Sequence, residues 1–198
     1  MFQSLIDLDN SLSLFFRNLI TPDSPLVPFV VFFTDAPVFG VMLLLVGLWI
    51  WGVYKKQVGL KIAALDIFYT IMFAFGVYWI LHFGLPLRAR PETLTAIQPL
   101  ITHLPDNSFP SGHAIFAGAS VVAIGYFYSM SASTLFAVLG IIMVIARVIA
   151  GVHYFGDVLV GVIIGALFAR VAIEVREKIG IKTALHTLPL KMAGFVKL

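Results

Sequence analysis

The feature that most limits what this chain can become is a series of five long apolar runs separated by polar connections. Crossing a hydrocarbon layer of roughly 30 Å takes about 20 residues of α-helix. Backbone N–H and C=O groups find no water in lipid, so a span must be a helix or a strand of a closed barrel. No period-2 alternation runs through these segments, which argues against a barrel. The expected fold is therefore all-α: a polytopic transmembrane helix bundle of about five spans, forming a single membrane domain over residues 1–198. The composition agrees, 60% hydrophobic and only 12% charged, with a mean hydropathy of +1.01; a soluble domain carries about a quarter charged residues. A net charge of +3 reports loop charges in such a protein and does not point to nucleic acid. With no cysteine, neither disulfides nor thiolate metal sites are available.

Met1 to Ile20 lacks the basic start of a cleavable signal and carries Asp7, Asp9 and Asn10. Its apolar residues fall mostly on one helical face, which predicts an N-terminal amphipathic interfacial helix or a helix packed on the bundle from the water side. Thr21-Pro22-Asp23-Ser24-Pro25 ends it. The first span is expected over Leu26 to Val53, interrupted at Asp35-Ala36-Pro37, by a kink or by a separate short helix. The others are expected over Ile62–Phe83, Ser111–Tyr128, Thr134–Ala150 and Gly156–Val175, with a basic, interfacial tail beyond. A polar loop with Arg88, Arg90, Glu92, His103, Asp106 and Asn107 joins the second span to the third.

Lysine and arginine placement gives an orientation. Lys55, Lys56, Lys61, Arg176, Lys178, Lys182, Lys191 and Lys197 fall on one side, which is then cytoplasmic. The Arg88/Arg90 loop, the start of the third span and the turn at His153 all fall on the other, outward side. Three polar stretches far apart in sequence are thus expected at one face of the membrane.

Those stretches share a chemistry. A phosphoryl group spreads negative charge over its oxygens. Arginine forks bind such an anion through paired hydrogen bonds, and a helix N-terminus offers backbone N–H groups to it. Arg90 and Arg147 supply forks, and Ser111-Gly112 after Pro110 supplies the helix start. Two histidines suit a two-step transfer, one as nucleophile and one as acid to the leaving oxygen. Asp157, four residues after His153, can fix that ring's tautomer. The bland readings are a turn for Asp106-Asn107, helix packing for the stripe Gly161-x3-Gly165-x3-Ala169, and snorkelling or capping for Asp66. Asp35 is an acid at or near the lipid boundary, a position where function is the default. His82 and His103 are candidates for a substrate-side role.

Arg90-Pro91, Pro110-Ser111-Gly112-His113 and Arg147-x5-His153-x3-Asp157 resemble the three signature motifs of the type 2 phosphatidic acid phosphatase superfamily. The resemblance covers about residues 82–170 and is most specific in the second and third motifs. It implies His153 as the nucleophile forming a phosphohistidine, Asp157 as its orienting carboxylate, and His113 as general acid. It also implies Arg90, Arg147, Ser111 and Gly112 as phosphate ligands, with no metal and no cofactor. Two positions depart from the pattern: Phe83 stands where the family has Lys, and Ala146 where it usually has Ser. Arg88 is a candidate replacement for the missing cation. Short bacterial members resembling the undecaprenyl-diphosphate phosphatase type often have a degenerate first motif. That favours a polyprenyl diphosphate in the lipid bilayer as substrate, ahead of phosphatidylglycerophosphate, phosphatidate or lipid A. A non-catalytic lipid-binding relative would lack His113, His153 or Asp157, and a transporter would carry polar residues through the bilayer centre. Neither pattern is present. Nothing in the sequence fixes the oligomeric state.

Overall fold

The computed structural model describes residues 2–91, 98–102, 106–179 and 189, and among these every regular element is a helix. Glu92, His103 and the tail lysines Lys182, Lys191 and Lys197 lie outside the described residues. In chain order the helices are α1 (Phe2–Arg17), α2 (Val27–Phe33), α3 (Ala36–Tyr54), α4 (Val58–Gly84), α5 (Gly112–Phe127), α6 (Met130–Ile149) and α7 (Phe155–Ile179). Four of them, α3, α4, α6 and α7, are long and apolar enough to cross a membrane. Their outer faces expose large apolar side chains such as Leu43 and Ile50 on α3, Leu135 and Ile141 on α6, and Ile163 and Leu167 on α7. A continuous apolar surface of this kind needs lipid to cover it.

The remaining expected span is α5, and it is short. Its 16 residues rise about 24 Å. It sits inside the bundle, in contact with α4, α6 and α7, and Ala114, Ile115, Ala119, Ala123 and Ile124 have no exposed surface. Its neighbours cross the lipid around it. The enclosure depends on small residues. A Cβ at Gly118 would run into the Val162 carbonyl, and one at Gly165 into the Ile115 carbonyl. Helices α5 and α7 therefore touch backbone to backbone, as the small-residue stripe predicts. This pairing brings the first turns of both helices side by side.

The run from Leu26 divides into two helices, not one kinked one. Helix α2 ends at Phe33, Thr34 and Asp35 form a break, and α3 begins with Pro37 in its first turn. A proline there costs no hydrogen bond, because first-turn N–H groups have no helical partner. The break leaves Asp35 at the head of α3.

Helix α1 has its polar side inward. It exposes Leu5, Leu8, Leu14 and Phe15 and buries Ser13 and Arg17. Asp9 Oδ1 accepts the Gly156 N–H at 2.7 Å, and Ser13 Oγ accepts the Phe155 N–H at 2.9 Å. The opening amides of α7, which lack partners within their own helix, are thus capped by side chains from α1. Arg17 donates to the Ile20 and Gln98 carbonyls at 2.9 and 2.6 Å. The helix packs on the bundle and still presents an apolar face outward, so the two sequence readings of this segment describe its two sides.

At the opposite end, Asp66 on α4 is 3% exposed and binds Arg176 on α7, with Nε at 2.8 Å from Oδ1 and Nη2 on Oδ2. The expectation of a snorkelling or capping acid is corrected to a buried ion pair between two spans. Arg176 makes the difference: its fork reaches back from the last turns of α7.

Candidate active site

The turn between α6 and α7 builds the centre of the site. Gly151 takes φ +79°, a left-handed conformation that costs glycine little. The chain reverses there and delivers His153, 4% exposed, into a cavity of about 290 Å³. Its Nδ1 lies 2.9 Å from the Ser108 carbonyl oxygen. A carbonyl can only accept, so Nδ1 carries the proton and Nε2 bears the lone pair. This is the tautomer a nucleophilic imidazole requires.

Asp157 Oδ2 stands 3.7 Å from Nδ1, both groups buried. Its carboxylate accepts from Ser108 Oγ at 2.6 Å, from the Tyr154 N–H at 2.9 Å and from Arg88 Nη1 at 2.5 Å, with no exposed surface of its own. The Asp157–His153 pair is within ion-pair range, and Ser108 adds a second link, its Oγ on Asp157 and its carbonyl on His153. Sitting in the first turn of α7, Asp157 closes back on the Tyr154 amide through the same Oδ2 that faces the ring.

Arg88 is placed behind the cavity. Its Nη1 binds Asp157 Oδ1, its Nη2 binds Asp9 Oδ2 at 2.6 Å, and its guanidinium lies 4.0 Å from the centre of the Tyr154 ring. Burial alone would lower its pKa; the Asp157 and Asp9 carboxylates outweigh burial and raise it. The expectation that Arg88 binds phosphate is therefore corrected: it is spent on two carboxylates that hold the site together. The Tyr154 hydroxyl is pushed up, chiefly by burial. Asp106 and Asn107, expected as a simple turn, knit the surrounding loops. Asn107 Oδ1 accepts the Arg88 N–H at 2.9 Å, its Nδ2 donates to the His82 carbonyl at 3.2 Å, and the Ser108 N–H meets the Arg88 carbonyl at 2.9 Å.

Arg90 and Arg147 do line the cavity. Arg90, 3% exposed, is oriented by Asp106 Oδ1, at 2.8 Å from Nε and 2.5 Å from Nη2, and by the Val152 carbonyl at 2.6 Å from Nη1. Arg147, 2% exposed, comes from the last turn of α6, and its buried Nε has no hydrogen-bond partner among the described residues. His113, in the first turn of α5, faces the same cavity. Gly112 belongs to that wall too, and a Cβ on it would press on the Tyr78 ring at 3.1 Å. The Ser111 N–H, expected to meet phosphate, is donated to the Asp157 carbonyl at 3.3 Å, while Ser111 Oγ is buried without a partner among the described residues.

The other half of the cavity is apolar, formed by Val38 and Met42 of α3, Met72, Phe75 and Trp79 of α4, and Phe116 of α5. Helix α4 continues six residues past Tyr78 to Gly84, about 9 Å of wall. The site is thus a basic, histidine-bearing floor with an apolar flank between two lipid-facing helices. Such a floor can bind a tetrahedral anion beside a nitrogen nucleophile. No group of three or more His, Asp or Glu side chains is arranged to hold a metal among the described residues.

Sequence reasoning missed Asp9, Ser13, Ser108 and the specific role of Asp35. A signal existed for the first two: Asp9, Ser13 and Arg17 repeat every four residues on an apolar helix, which marks one polar stripe seeking partners. Ser108 acts through its backbone carbonyl and carries no side-chain signature for that role.

A family model described as the PAP2 superfamily matches residues 63–181. A protein of Escherichia coli (strain K12), provisionally named undecaprenyl-diphosphatase YbjG, is 29% identical over 160 residues, 79% of this chain and 78% of that one. Among solved structures, the crystal structure of Aquifex aeolicus LpxE superposes with a TM-score of 0.64 over 84% of this chain and 95% of that one, at 24% identity. That likeness is one of fold.

Proposed function

This chain belongs to the PAP2 superfamily, and from that premise we propose that it is an integral membrane phosphatase removing the terminal phosphate of a lipid diphosphate, with undecaprenyl diphosphate as the favoured substrate. The observation that carries the reading is the 2.9 Å contact between His153 Nδ1 and the Ser108 carbonyl: a carbonyl only accepts, so the proton is on Nδ1 and the neutral ring keeps its lone pair on Nε2. Arg90 and Arg147 border the same cavity. They bind the terminal phosphate together with the Gly112 amide and the Ser111 hydroxyl. His153 Nε2 attacks phosphorus, the bond to the leaving oxygen breaks, and His113 protonates that oxygen. Water then attacks the phosphohistidine, giving its proton to the now neutral His113, and inorganic phosphate leaves.

Two features support a lipid substrate. The apolar flank opens between α3 and α4, whose outer surfaces meet lipid. A cavity of about 290 Å³ takes a head group and the first carbons of a chain, leaving the remainder in the bilayer. The relative named for undecaprenyl diphosphate supports that chemistry over other lipid phosphates. Loop charges favour an outward-facing site in a bacterial-type cell membrane.

The test is phosphate release in detergent from undecaprenyl diphosphate, phosphatidate, phosphatidylglycerophosphate and a lipid A phosphate. The expected order puts the polyprenyl diphosphate first, with His153→Ala inactive on every lipid. A preference for one of the others would reassign the substrate, and full turnover by His153→Ala would remove the enzyme reading.

A further inference from the structure

The two catalytic-site histidines are held by acceptors of different charge. His153 gives its Nδ1–H to a neutral carbonyl at 2.9 Å. His113 Nε2 stands 2.7 Å from Asp35 Oδ1. We propose that Asp35 is the positioning residue of the general acid, holding His113 as the doubly protonated ring and aiming it at the leaving oxygen. This rests on the phosphatase reading above.

An ionised carboxylate only accepts, so the nitrogen facing Asp35 carries hydrogen. A neutral ring protonated there has a bare second nitrogen and no proton to release at it. To act as an acid while bound to Asp35, His113 must be the imidazolium, and a carboxylate at hydrogen-bond distance favours that form. A neutral acceptor gives no such help, which suits a ring that must keep its lone pair. The surroundings make the carboxylate necessary. Arg147 Nη1 lies 3.3 Å from His113 Nε2, and Arg90, His153 and Tyr78 share the cavity. Asp106, the other nearby acid, is bound to Arg90. A charged ring beside two guanidinium groups would shed its proton without a closer anion.

Asp35 is built for the task. It heads α3 at the break after α2, and its Oδ2 stands 3.1 Å from the hydroxyl of fully buried Thr34. Oδ1 is left to His113 and to Arg147 Nη1, at 2.7 and 3.3 Å. The hydrogen bond from His113 holds the Asp35 carboxyl down at about 2, so it remains an anion wherever the enzyme works. In the reaction, one N–H of His113 stays with Asp35. The other proton passes to the leaving oxygen as the P–O bond breaks and the bond from His153 Nε2 to phosphorus forms. The water of the second step returns a proton to His113.

The experiment compares wild type, Asp35→Asn and Asp35→Glu on an unactivated lipid monophosphate and on p-nitrophenyl phosphate, whose leaving group needs no acid. Asparagine should lower kcat on the lipid roughly 10- to 100-fold, less than the roughly 10²–10⁴-fold of losing a general acid outright, because His113 itself remains. The loss on the activated ester should be several-fold smaller, and the alkaline limb of the kcat profile should move to lower pH. Glutamate should restore part of the lipid activity. Equal losses on both substrates with an unmoved pH profile would overturn the proposal. So would an asparagine variant that binds inorganic phosphate ten times more tightly, since Asp35 would then be a competitor for the anion site. Monodisperse elution of each variant confirms folding. Failure of the phosphatase reading shows separately, as wild type releasing no phosphate from any lipid.

Discussion

His153 can attack only while one ring nitrogen is bare, so the reaction should carry an acid limb. Asp35 cannot produce that limb. Its carboxyl is depressed from an ordinary 3.8 to about 2, first by the hydrogen bond with His113. A depressed carboxyl contributes stability that is complete above about pH 4 and is lost as the pH falls toward 2. The acid limb of kcat/KM measured from pH 4 upward should therefore stay in place in Asp35→Asn, while the alkaline limb moves. Arg147→Lys should cost at least tenfold in kcat/KM, because an ammonium cannot replace a buried fork; the same assay reads it. Arg88→Lys should behave differently. It leaves phosphate affinity near that of wild type and lowers kcat, because Arg88 holds Asp157 and Asp9 behind the cavity wall. Inhibition by inorganic phosphate separates the two variants.

The tie between α1 and α7 is the most exposed of the helix contacts to test. Asp9→Asn and Ser13→Ala together remove the caps on the Gly156 and Phe155 amides. Caps of this kind are each worth about 1 kcal/mol, and a small displacement of Asp157 and Ser108 is enough to cost roughly 10- to 100-fold in turnover. The double variant should keep its helical circular dichroism and lose activity. Gly165→Leu acts on the other wall of α7, forcing α5 away from it. Overpacking there should cost about 1–3 kcal/mol, read as earlier thermal aggregation. These contacts also show what could be read in advance. The spans, the Gly161-x3-Gly165-x3-Ala169 seam and the cavity residues Arg90, His113, Arg147 and His153 follow from hydropathy, spacing and motif. In the sequence Arg88 looks like a ligand, a cation near a phosphate motif, whereas its partners Asp9 and Asp157 lie 79 and 69 residues away. Only tertiary packing reveals which acids claim it. Helix α5 was read as an ordinary span because apolar length does not show how much neighbouring helices cover.

At the scale of the whole molecule, the placement of the site relative to the two membrane faces is testable because the chain has no cysteine. A Thr102→Cys variant, labelled in intact cells with an impermeant maleimide, should react; protection until lysis would reverse the orientation. Chelators should leave turnover within about twofold, since His153 and the arginine forks supply the nucleophile and the charge that a metal would otherwise bring. Restoration of an EDTA-inhibited enzyme by zinc or magnesium would contradict that mechanism.

Helix α5 has 16 residues and α4 beside it 27, an arrangement expected to sink the reactive floor below the level at which head groups rest. A substrate must dip, or the leaflet must dimple, before phosphorus meets nitrogen. Turnover should then respond to bilayer thickness: thin, short-chain vesicles would lower that step, and thick, sterol-stiffened ones would raise it, with no change in the protein.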